Sequence, residues 1–229
     1  MLISRLICVA LLIALALKAG QFAISDYYFE QAKQRRQALN IDVEKTSRVL
    51  LPILREVEKA LYWRPNSAEA LDLKADVLYQ SWWLSPDGQY FNSSKLLQAA
   101  DATHRKALNI RKDWSFVIAR LALIHAQKPA IDAEFETWFA KAYQLGRYET
   151  EIARSMMQIG LQAWPRLNPQ QRQQTIEFTR ISIEQKANSS KFIRALLSDY
   201  EQLEFICNEL PSSKRMQKVC QSSNADEAT

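Results

Sequence analysis

Three alanine-centred segments, each leading into a turn, set the tightest limit on how this chain can fold. Ala60-Leu61 precedes Pro65-Asn66, Ala107-Leu108 precedes Lys112-Asp113, and Ala142-Tyr143 precedes Arg147-Tyr148. The alanines lie 47 and 35 residues apart, and a further helical pattern follows each turn. A small residue lets two helix backbones approach closely, so this spacing predicts helix pairs stacked one on the next. Only 4 glycines occur in 229 residues, which disfavours tight hairpins and glycine-rich phosphate loops. Leu, Ala, Gln, Glu, Lys and Arg, all good helix formers, dominate between the turns. The expected fold class is all-α: an N-terminal membrane helix, then an α-solenoid of antiparallel helix pairs. With 48% hydrophobic residues, a chain of this length suits one domain with appendages.

The N-terminus carries an unbroken apolar run of twelve residues, Leu6 to Leu17. Apolar character resumes after Lys18 at Ala19, Phe22, Ala23 and Ile24, giving 19 residues from Leu6 to Ile24. At 1.5 Å per residue that length roughly spans a bilayer, with Lys18 able to snorkel to the headgroups. Ala14-Leu15-Ala16 has the small residues of a cleavage site, but cutting there leaves a very short hydrophobic core. An uncleaved, single-pass signal anchor in the inner membrane is the expectation. The positive-inside rule counts Arg5 before the span against Lys18, Lys33, Arg35 and Arg36 after it, which puts the body in the cytoplasm. Asp26 and Glu30 intervene, however, and the first basic cluster is some distance away. The cysteines point to the opposite side. Cys8 lies within the apolar segment, leaving Cys207 and Cys220 as an even pair that could close a short loop in an oxidising compartment. Two unrelated thiols fit the same sequence.

The formal charge is +5, but 25 acidic residues are interleaved with 30 basic ones, and the densest basic run, Lys33 to Arg36, holds three charges. A mixed solvated surface follows, which argues against a nucleic-acid partner. Along the chain we expect a membrane segment over 1–25, a juxtamembrane helix over 26–48, a helical repeat domain over 49–210 and a C-terminal tail over 211–229. Pro52 marks a kink or boundary. Asn66 with Glu69 resembles a capping box, and Asn168-Pro169 with Gln171 starts another helix in the same manner. Ser85-Pro86-Asp87-Gly88 is a strong turn signal inside an insertion from Trp82 to Ser94. The last long helix is expected over Lys191 to Glu209, ended by Pro211.

No CxxC pair, GxGxxG, P-loop, GxSxG or HExxH occurs. The two histidines, His104 and His125, both lie on apolar stripes, where a core role outweighs a ligand role; neither a metal nor a cofactor is expected. Glu134/Glu136 and Glu149/Glu151 are spaced two apart, so neither pair shares a helix face. Trp63, Trp114 and Trp164 sit at or beside turns and are expected to wedge successive helices. Trp82, Trp83, Tyr90 and Phe91 cluster around the insertion. Their rings could stack on the C–H faces of a sugar or meet a protein partner, although packing against the helical body explains them too.

From Ile53 to Gly160 the chain resembles a degenerate tetratricopeptide array. Ala60 and Pro65 are followed by Leu71 and Ala75; Ala100 and Ala107 by Ile118, Leu121 and Ala122; Ala142 by Ala153 and Met157. Lys112 and Arg147 stand where that family places a turn proline. The resemblance implies that Ala60, Pro65, Ala107, Ala122 and Ala142 serve repeat packing. The wider layout is also similar to the VpsP-type proteins of bacterial exopolysaccharide biosynthesis: an anchor, a body of this size, Asp113-Trp114 in a turn, and Gly160 to Trp164 before Leu167-Asn168-Pro169. That likeness implies a non-enzymatic envelope scaffold, with its body in the periplasm and envelope proteins of polysaccharide synthesis or export as partners. Two alternatives stand beside it. One is a glycan-acting enzyme using an acidic pair; the other is an anchored adaptor facing the cytosol.

Overall fold

The computed structural model describes residues 2–39, 43–84, 93–185, 190–211 and 213–220. Among them are eleven α-helices, one 3-10 turn and no strand. The helices are α1 (Leu2–Gln37), α2 (Val43–Trp63), α3 (Ala68–Trp83), α4 (Ser93–Ile110), α5 (Ser115–Ala126), α6 (Ala133–Gly146), α7 (Thr150–Ala163), α8 (Pro169–Glu184), α9 (Ser190–Asp199), α10 (Leu203–Glu209) and α11 (Lys214–Cys220), with the 3-10 turn at Trp164–Arg166. They divide into two compact units, Met1–Lys112 and Asp113–Thr229. The stretch expected as one repeat domain over 49–210 is therefore parted between 112 and 113.

In the first unit a single helix crosses position 25, where the sequence reading separated a membrane segment from a juxtamembrane helix. The backbone does not change there, but the burial does. Every residue from Arg5 to Ile24 is exposed, and Ser25 is the first buried residue. Beyond it Ser25, Phe29 and Ala32 recur at helical spacing and meet α2, with Ser25 Oγ donating to the Ala60 carbonyl at 3.0 Å. Leu50, Ile53, Val57, Ala70 and Val77 complete this apolar cluster. Two ion pairs tie down the end of α1: Arg35 to Glu56 of α2 at 3.0 Å, and Arg36 to the buried Asp76 of α3 at 3.2 Å.

Pro52 lies inside α2 and does not bound it. It removes one amide from the ladder, a loss the helix tolerates while Ile53, Val57 and Ala60 stay fully buried. The cap of α3 is Ser67, one residue beyond the expected Asn66. Ser67 adopts the extended backbone a cap requires (φ −83°, ψ 109°), and its hydroxyl accepts from the Ala70 amide at 3.3 Å.

In the second unit α5 packs on α6 and α7, and α7 on α8. Phe135, Phe139 and Phe178 are fully buried and form a ring cluster, with centroids 5.2 Å apart for Phe135–Phe139 and 6.0 Å for Phe139–Phe178. Asn168 forms the capping box: its Oδ1 accepts from the Gln171 amide at 2.9 Å, and Gln171 Oε1 accepts from the Asn168 amide at 3.0 Å. Gly146 and Gly160 are close-approach positions, facing Ile152 and Thr175.

The expected last helix is broken. Glu201 adopts a left-handed backbone (φ 56°) between α9 and α10, and the Gln202 amide reaches back to the Leu197 carbonyl at 2.8 Å. This six-to-one bond closes a Schellman-type cap and turns the chain. Cys207 of α10 is joined to Cys220 of α11, with Cα atoms 5.6 Å apart. The region expected as a tail over 211–229 thus contains a helix, whose Met216 and Val219 are buried. Gln221 to Thr229 lie outside the described residues.

Candidate functional site

The alanines expected to serve repeat packing, Ala60, Ala107, Ala122 and Ala142, are all fully buried, whereas Pro65 is exposed in the turn between α2 and α3. Of the aromatic group around the insertion, Trp82 and Trp83 close α3, while Tyr90 and Phe91 lie outside the described residues, as does Ser85 to Gly88. Trp82 is half-buried, 5.6 Å from Tyr79 and 6.1 Å from Trp83 between ring centroids. Trp83 is 61% exposed. Burial, with the nearby charge of Asp76, pushes the Tyr79 hydroxyl well above the usual phenol range. The end of α3 therefore offers one open indole ring on a rigid stack.

The turn tryptophans differ among themselves. Trp164 is buried, with the Phe205 ring edge-on at 5.6 Å and the Arg172 guanidinium 5.7 Å from its ring. Trp114 is half-buried in the cap position of α5, and Trp63, at the end of α2, remains 37% exposed.

Both histidines are buried, and each faces carboxylates that sequence periodicity did not reveal. His104 on α4 stands 3.3 Å from Asp72 of α3. His125, at the end of α5, meets a larger group. Its Nδ1 is 3.0 Å from Asp132, its Nε2 is 3.3 Å from Glu134, and Lys128 Nζ lies 3.0 Å from Nδ1 and 2.5 Å from Asp132. The fold brings them together because the α5–α6 turn folds back and Asp132 caps α6, accepting from the Phe135 amide at 2.7 Å. Arg166 fastens the same turn by donating to the Ala126 carbonyl at 2.9 Å and to that of Lys128.

Burial works to raise the Asp132 carboxyl, but hydrogen bonds from Lys128, the Phe135 amide and His125 outweigh it and hold the pKa down at about 2. One atom each from His125, Asp132 and Glu134 lies within 4.8 Å of the others, a spacing that could hold a metal ion. The two carboxylates, however, sit on opposite ring nitrogens, and the Lys128 ammonium already contacts both Asp132 and Nδ1. A cation there would have to displace it. The sequence signal was the spacing His125, Lys128, Asp132, Glu134 across a short turn, legible only once the turn is known to reverse the chain. The other acidic candidates separate: Glu149 accepts from Ser115 Oγ at 2.9 Å, and Glu151 pairs with Arg154.

Clefts of the first unit include two among the described residues. One, of about 370 Å³, lies between α2, α3 and α4, with Leu61, Leu71 and Ile110 beside Lys106 and Asn109. The other, of about 270 Å³, lies where the α2–α3 turn meets α1, lined by Lys18, Gln21, Phe22, Trp63, Arg64, Pro65 and Asn66.

The chain matches no protein-family model, no curated protein and no solved structure. Among the described residues the protein is all-helical, with one N-terminal helix long and apolar enough to cross a membrane.

Proposed function

We propose that this protein is a membrane-anchored, non-enzymatic scaffold of the bacterial envelope, which positions a protein partner for exopolysaccharide synthesis or export. The observation that carries the anchored-scaffold reading is α1. Its first part, exposed from Arg5 to Ile24, is apolar, and its last part is built into the core of the first unit. Anchor and body are thus one continuous helix, suited to holding a surface at fixed height above a bilayer. The polysaccharide assignment rests on the sequence resemblance to VpsP-type proteins.

A body on the periplasmic side accords with the bonded Cys207–Cys220 pair, since disulfides persist in oxidising compartments. Of the basic residues that argued for the opposite side, Lys18 lies within the Leu6–Ile24 span, and Asp26 and Glu30 come before the cluster that begins at Lys33. Stacked helix pairs are supported by the packing of α5 on α7 beside that of α5 on α6. The cleft holding Leu61, Leu71 and Ile110 is the surface we assign to the partner: apolar walls with Lys106 and Asn109 at the edge suit a preorganised protein contact.

The test is crosslinking of the full-length chain in cells, followed by mass spectrometry, together with alkylation of intact cells before and after reduction. Envelope polysaccharide machinery among the crosslinks, with Cys207 and Cys220 alkylated only after reduction, supports the reading. Cytosolic partners and two free thiols overturn it in favour of the cytosol-facing adaptor.

A further inference from the structure

The cleft between the α2–α3 turn and α1 lies at a defined height. If α1 crosses a bilayer over Leu6 to Ile24, the end of the span nearer the body lies at Ile24, with Phe22 about 3 Å and Lys18 about 9 Å short of it along the axis. The headgroup layer on each side of a bilayer is roughly 5–8 Å deep. Gln21 and Phe22 therefore lie at the inner edge of that layer, Lys18 reaches it by snorkelling, and the fold delivers the α2–α3 turn to the same level. Ser25 Oγ holds the Ala60 carbonyl at 3.0 Å, and the Arg64 guanidinium lies 4.9 Å from the centroid of the Phe22 ring.

The groups gathered there are those an anionic lipid needs. Lys18 is exposed and, among the described residues, has no carboxylate partner. Arg64 stands 3.9 Å from the exposed Asp26, too far for a hydrogen bond, so its guanidinium keeps donors for another acceptor. Gln21 and Asn66 add amide donors to the lining. At the end of α2, Trp63 is 37% exposed and Tyr62 is 78% exposed, two amphipathic rings of the kind that settle at a membrane–water boundary. A concavity of about 270 Å³ with two cations, two amides and an aromatic wall fits a phosphodiester with its glycerol.

We propose that this cleft is a headgroup site for an anionic phospholipid of the leaflet facing the body. Lys18 and Arg64 take the phosphate, and Trp63 and Phe22 border the glycerol and upper acyl chain. The inference rests on the membrane-anchor reading above and adds to it a second attachment, from the body of the protein to the lipid surface. Such a contact fixes the rotation of the body about α1, which a single span leaves undefined.

The test uses the full-length chain. Its retention in membranes after alkaline carbonate washing checks the anchor. The protein in neutral detergent is then titrated with phosphatidylglycerol, phosphatidylcholine and inorganic phosphate, with binding read by native mass spectrometry. The expected result is preferential retention of phosphatidylglycerol over phosphatidylcholine, with weak binding of inorganic phosphate. Lys18→Gln combined with Arg64→Gln is expected to weaken phosphatidylglycerol retention roughly thirty-fold, from about 1 kcal/mol per basic residue near an anionic surface. Arg64 also stacks on Phe22, so Lys18→Gln alone serves as the second variant, with a roughly five-fold loss expected. Equal retention of the two lipids, or unchanged retention in both variants, with a carbonate-resistant protein, overturns the headgroup site and leaves the anchor standing. A wild-type chain released by carbonate overturns both.

Discussion

Gly160 on α7 has the Thr175 side chain of α8 directly against it. A Cβ added at Gly160 would lie 2.5 Å from Thr175 Cγ2 and 2.9 Å from its Cβ. Thr175 is fully buried and its hydroxyl donates to the Gln171 carbonyl at 2.9 Å, so it cannot turn aside cheaply. Gly160→Ala is expected to cost about 1–3 kcal/mol and to lower the melting temperature by roughly 3–10 °C. Adding Thr175→Ala should restore only part, because a Cβ remains there; thermal unfolding followed by circular dichroism reads both changes. Asp132 makes a different prediction. Its folded pKa of about 2 lies below the ordinary 3.8, so the stability it contributes is complete above about pH 4 and is lost as pH falls toward 2. The carboxylate is 33% exposed, and solvent screening reduces the contribution to about 1 kcal/mol. Asp132→Asn keeps an acceptor for the Phe135 amide but removes the charge, so its stability should vary less between pH 5 and pH 2 than that of the wild type. Parallel urea titrations at the two pH values check this, and identical pH dependence in both proteins would refute it.

At the scale of elements, what the sequence made legible was local chemistry. Asn168-Pro169 with Gln171 announces a helix start because side-chain oxygen, fixed φ and a reciprocal amide are all encoded within four residues, and the capping box forms as read. The cap of α3 was displaced by one residue because Asn66 and Ser67 are both competent, and only the extended backbone at Ser67 decides between them. The break after α9 was hidden, since residue 201 is a glutamate where such turns favour glycine. The His125 group was hidden for another reason. Its members are brought together by a chain reversal, and periodicity reports which face a residue shares, not what the next helix places opposite it. Glu201 carries its own consequence. A side chain at φ 56° costs roughly 1–2 kcal/mol relative to glycine, partly offset by the greater unfolded freedom of glycine. Glu201→Gly should therefore stabilise the protein by about 0.5–1 kcal/mol. A lower urea midpoint in that variant would show that the Glu201 side chain itself supports the turn.

At the scale of the whole molecule, α1 makes two different demands on one helix, and they separate at Ile24–Ser25. Before that point, the residues from Arg5 to Ile24 are exposed, with Leu12 and Leu17 each 66% exposed, a cost in water that a bilayer removes. The residues after it are structural in the first unit. Ala32 is fully buried in the apolar cluster, Arg35 and Arg36 reach Glu56 and Asp76, and Lys59 stacks on the Tyr28 ring at 5.2 Å. Two truncations distinguish these roles. A chain beginning at Lys18 behind an initiator methionine loses the apolar run and keeps every contact named above. It should leave the membrane fraction, stay in solution, and melt at nearly the same temperature as the full-length protein in detergent. A chain beginning at Ala38 also loses Phe29, Ala32 and both ion pairs, exposing Leu50, Ile53 and Val57. Removing one packed helix from a small core costs several kcal/mol, a large part of a typical domain's stability. That second chain should aggregate or unfold early in its first unit, with hydrogen exchange fast across α2 and α3. Equal protection of α2 and α3 in the two truncated chains would mean that α1 is a detachable leash, and the rigid attachment of body to bilayer would have to be abandoned.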